Sequence, residues 1–75
     1  MNTLRHSATA INKALLRHDV YWLNLLTGTQ ERVTEARIDR SVAGRTLQLK
    51  VAGEWWAVTD PRDVITTQPR KLRRG

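Results

Sequence analysis

After Asp19 the apolar residues stop recurring at helical spacing and begin to alternate. Turn signals then follow at short intervals, at Thr27-Gly28, Ala43-Gly44, Ala52-Gly53 and Asp60-Pro61. This change of period decides the class: one helix, then a run of short strands. A chain of 75 residues has room for one domain. Folding at that length buries only roughly 60% of the unfolded surface, so helix and strands must share one thin core.

Upstream of the change, Leu4, Ala8, Ile11 and Leu15 form a single helical stripe, with Asn2 or Thr3 as its cap and His18-Asp19 as its end. Downstream, residues 20–26 read as a strand with Tyr21, Leu23 and Leu25 on one face. Residues 29–39 form a polar strand. Its apolar members Val33, Ala36 and Ile38 reach the interior together only if the backbone bulges or bends between Val33 and Ala36. Residues 41–45 read as a loop. Leu47, Leu49 and Val51 then alternate with Thr46, Gln48 and Lys50, and Ala52-Gly53 turns the chain into residues 54–59. Asp60-Pro61-Arg62-Asp63 has the order of a type I turn, and Pro69 stops a last strand over residues 64–67. The expected fold is mainly β: an N-terminal α-helix followed by a five-stranded, strongly bent small barrel, closed or nearly so. Residues 1–69 make this domain and residues 70–75 a basic tail.

The charge is unevenly placed. Thirteen Lys and Arg face seven Asp and Glu, a net +6. Without Arg70, Lys71, Arg73 and Arg74 the remaining nine basic residues leave only +2. Most of the basic residues are arginine, whose planar fork suits phosphate and stacks on bases, so the expected partner is nucleic acid rather than a membrane surface. No stretch approaches the ~20 apolar residues of a membrane span. The first residues carry no apolar signal core, and cysteine is absent. A cytoplasmic protein is the expectation.

Nothing in the sequence points to an enzyme. His6 and His18 have no ligand or base-pair spacing. Ser7 and Ser41 have no adjacent base, and no glycine-rich phosphate loop occurs. No cofactor or metal is expected. The tryptophans are more informative. Trp55 and Trp56 are neighbours in a strand and must point to opposite faces. Parity with Val58 puts Trp56 inside and Trp55 outside, and the same reasoning puts Tyr21 inside and Trp22 outside. Outward indoles on a basic surface serve equally as base-stacking platforms or as parts of a protein interface. The arginines that alternate with acids from Glu31 to Asp39 read as cross-strand partners on a wet face. Arg40, Arg45, Lys50 and Arg62 lie at or beside loops with fewer acids near them and are the expected phosphate contacts, together with the tail.

The order of elements resembles the Sm-like family of small barrels, which includes RNA chaperones of the Hfq type. The residues carrying the resemblance are Asn12-Lys13-Ala14-Leu15-Leu16-Arg17-His18-Asp19-Val20, Leu25-Leu26-Thr27-Gly28, Asp39, and Val64-Ile65-Thr66-Thr67-Gln68-Pro69. Val33 stands where the Sm pattern has a second glycine, and Asp60-Pro61-Arg62 replaces the aromatic-Lys-His signature before the last strand. The stretch from Arg45 to Glu54, with residues 60–65, is similar to Sm-like Rho-binding antiterminators of the Rof type. The resemblance implies a bacterial, Sm-like or SH3-like regulator, and with the charge and the outward indoles read above the expectation is single-stranded RNA bound through Trp22, Arg40, Arg45, Lys50, Trp55, Arg62 and the tail. The alternatives are an inhibitor or adaptor that docks a transcription factor such as Rho, and an SH3-like DNA-binding module. Hfq-type relatives assemble into rings, whereas Rof-type relatives act as monomers, so the homo-oligomeric state stays open.

Overall fold

The computed structural model describes residues 2–41 and 44–69. Within them the chain order is β1 (Asn2–Leu4), α1 (Ala8–Leu15), β2 (His18–Asn24), β3 (Thr29–Val33), β4 (Glu35–Ser41), β5 (Gly44–Val51), β6 (Glu54–Ala57) and β7 (Val64–Pro69). The fold is mainly β with one short helix, as expected. In place of five strands curled into one barrel, the described strands form two antiparallel sheets, β1-β7-β2-β3 and β4-β5-β6. The two sheets are not closed by a β6–β7 pairing; residues 58–63 connect those strands instead.

The helix starts later than its apolar stripe suggests. Ser7 is the cap: its backbone is extended, and its Oγ accepts from the Ala10 N–H at 3.3 Å. Leu4 still packs against the core, but from a three-residue strand laid along the edge of β7. An unfilled sheet edge captures such a segment through backbone pairing, which side-chain periodicity does not register.

A single residue, Thr34, separates β3 from β4, and this is the bend required by Val33 and Ala36. Both side chains are buried. The Thr34 N–H donates to the Lys50 carbonyl at 2.9 Å, so the chain crosses from one sheet to the other without losing backbone pairing. Ile38 lies on the same inner face. There the β4–β5 hairpin has run past the core, and Ile38 is 37% exposed.

The core is Ile11 from the helix, Val20 and Trp22 from β2, Val33 from β3, Leu49 from β5 and Ile65 from β7, joined by Ala36, Leu47 and Val51. In β2 the inward residues are thus Val20 and Trp22, the opposite parity to the sequence expectation. Val20 lies opposite both Val33 and Thr67 on the covered face, and moving the register by one would turn all of these outward. Trp22 is 2% exposed and donates its indole N–H to Asp63 Oδ2 at 3.1 Å. That bond removes the usual objection to burying an indole.

Candidate nucleic-acid interface

Two places on the β4-β5-β6 sheet bring cations together, the first with Glu35 and Asp39 on the same face and the second with no acid across the strand pair. The first is its outer face. The turn at Ala52-Gly53, with φ of 51° and 83°, has the left-handed pair of a type I′ hairpin and fixes Lys50 opposite Trp55. Trp55 therefore points outward, as expected. The Arg37 guanidinium lies 4.0 Å from its ring centroid and the Lys50 ammonium 5.7 Å. Arg37 Nε donates to Gln48 Oε1 at 2.7 Å, which orients the guanidinium plane over the indole. An indole carrying a stacked guanidinium offers a flat cationic surface of the kind on which unpaired bases stack.

The second place is the inner face of the same hairpin beyond the core. Arg40 and Arg45 are direct cross-strand partners there. Like charges facing each other across a strand pair are unfavourable unless something anionic joins them. Among the described residues the ion pairs are Arg32–Asp19 at 3.2 Å and Arg62–Asp60 at 3.1 Å, and neither Arg40 nor Arg45 takes part. The two arginines line a groove of about 570 Å³. Ile38, Leu47 and Val58 supply its apolar floor, and Ser7 and Ala8, at the helix start, its opposite bank.

Lys50, Trp55, Arg40 and Arg45 are thus gathered on one hairpin sheet, on its two faces. The other expected site residues are not. Trp22 belongs to the core and cannot act as an outward stacking platform. Arg62 is committed to its own turn: its backbone N–H and its Nε donate to Asp60 Oδ1 at 2.9 and 3.1 Å, and a terminal nitrogen donates to Asp60 Oδ2 at 3.1 Å. The side-chain hydrogen bonds from Arg62, its backbone N–H and its charge hold the Asp60 carboxyl below the ordinary range, and Asp60 in turn raises Arg62. Arg70, Lys71, Arg73 and Arg74 lie outside the described residues.

Trp56 faces inward with Leu49, as parity requires. It is nevertheless 49% exposed, because β6 is a four-residue edge strand with no further described strand beyond it. Arg37 was not expected at the site. Its alternation with Glu35 and Asp39 resembles a solvated strand face, and only the β4–β5–β6 register shows that it reaches Trp55. Among the described residues no group of His, Asp and Glu could hold a metal ion, and no helix is long and apolar enough to cross a membrane. Comparison with protein-family models, curated proteins and solved structures gives no significant match to this chain.

Proposed function

We propose that this chain is a non-enzymatic regulator that binds single-stranded RNA on the β4–β5 hairpin. The observation carrying the reading is the facing pair Arg40–Arg45, unpaired with any described carboxylate, in a groove with an apolar floor. Phosphates sit between the two guanidiniums, and an unpaired base lies on the Arg37–Trp55 stack of the outer face. The helix ahead of the strands and the sharp bend at Thr34 support the likeness to Sm-like proteins. The excess of arginine over acid supports a nucleic-acid ligand. The groove admits a flexible strand more readily than a duplex, and no described helix or strand is presented as a major-groove reader.

The test is titration of the full chain with a fluorescent single-stranded RNA over a range of salt. Each arginine that meets a phosphate contributes about 0.7 to the slope of log affinity against log salt for single strands. Arg40→Ala and Arg45→Ala together reduce that slope by more than 1. Trp55→Ala weakens binding by about 1–3 kcal/mol and leaves the slope unchanged. An equal affinity for duplex DNA, or an unchanged slope in the double variant, overturns the reading. Removal of residues 70–75 tests the tail in the same assay.

A further inference from the structure

On a chain with thirteen basic residues, one groove is lined, among the described residues, by Glu31, Glu54, Trp22 and Trp56 with small and neutral polar neighbours and by no Lys or Arg. It opens between the two sheets at the end away from the helix, with a volume of about 210 Å³. Trp22 forms its floor, Trp56 one wall, and Glu31 of β3 and Glu54 of β6 its two rims. Strand parity explains the convergence: Glu31 shares the inner face with Val33, and Glu54 shares it with Trp56. Glu31 accepts the Thr29 hydroxyl on Oε1 at 3.0 Å, which fixes the carboxylate and leaves Oε2 to a ligand. The Trp22 N–H is already taken by Asp63 and Trp22 is buried, so Trp56 is the indole whose ring a ligand reaches.

We infer that this groove binds a guanidinium, presented as an arginine side chain by a partner protein. Two carboxylates beside a half-exposed indole have opposite polarity to the rest of the molecule. A flat cation satisfies both features at once: its face lies on the Trp56 ring and its N–H fork meets a carboxylate edge-on. An ammonium would satisfy the charge but would leave the planar wall poorly matched. The site lies at the edge of β6, apart from the Arg40–Arg45 groove, and does not depend on RNA binding. With both in use, the chain would hold RNA on the hairpin and an arginine-bearing protein at the opposite end.

The experiment uses the full chain and three small probes, the N-acetyl amides of arginine, lysine and norleucine. The indole N–H resonances are followed by NMR. The arginine amide shifts the Trp56 signal saturably, with a dissociation constant of about 1 mM, the scale of a single weak cation site. Lysine amide binds several-fold more weakly and norleucine amide does not bind. Glu31→Gln with Glu54→Gln weakens the arginine effect at least five-fold, while the Trp22 signal, held by Asp63, stays in place as evidence of an intact fold. A norleucine response equal to that of arginine, an unchanged response in the double variant, or no Trp56 shift at tens of millimolar arginine amide overturns the inference. None of these outcomes bears on RNA affinity, which is read in a separate titration.

Discussion

Asp63 ties three segments of the chain together. Its buried carboxylate accepts from the Trp22 indole at 3.1 Å and from the Leu25 N–H at 3.0 Å, and its carbonyl meets His6 Nε2 at 2.7 Å. Asp63→Ala strands both donors and is expected to cost about 3 kcal/mol, measured by urea unfolding. Asp63→Asn rescues little, because its amide nitrogen meets one donor with another. Asp60 behaves differently, since it and Arg62 are open to solvent and their pair is screened. Its lowered folded pKa means that the small stabilisation is present above the ordinary carboxylate range and is lost as pH falls through the folded value. Arg62→Ala should move the Asp60 midpoint up towards the ordinary range, read from its carboxyl carbon by NMR. The tryptophans show what single residues reveal. The opposed faces of Trp55 and Trp56 follow from strand geometry alone. The burial of Trp22 depends on a carboxylate far away in sequence, which no local pattern announces.

The elements held by local chemistry were legible in the sequence, and those held by distant partners were not. Ala52-Gly53 makes the hairpin turn its residues suggest, and residues 60–63 close with an Asp63 N–H to Asp60 carbonyl bond of 3.1 Å. Ala52 sits at a φ of 51°, a region in which asparagine is more comfortable than alanine. Ala52→Asn should therefore stabilise the hairpin by about 1 kcal/mol, seen as a higher urea midpoint. The helix meets β4 through one amide: Asn12 Nδ2 donates to the Ala36 carbonyl at 2.8 Å, and Asn12 Oδ1 accepts from the Ala36 N–H at 2.9 Å. This side chain does for the edge of β4 what a neighbouring strand would do. Asn12→Ala should cost about 2 kcal/mol in the same assay. Neither this contact nor β1 is visible in apolar spacing, because one is a polar side chain bonded to a distant backbone and the other is backbone pairing.

At the scale of the molecule, β7 is an interior strand, paired with β1 on one side and β2 on the other, while β6 is an edge. Amide exchange should accordingly be slowest around Ile65 and fastest in β6. The candidate site was half legible for the same reason. Which residues are cationic is plain from composition, but which of them meet depends on the register of three strands. Arg37 joins Trp55 only once that register is set, whereas Arg62 pairs with Asp60 inside its own turn. Thr34 governs the arrangement, since one residue carries the chain from the first sheet to the second. An insertion or deletion there would invert β4, sending Ala36 to solvent and Arg37 inward, and would separate Arg40 from its groove. Descendants of this sequence should therefore keep the count of residues between Val33 and Ala36 fixed even where the residues themselves drift.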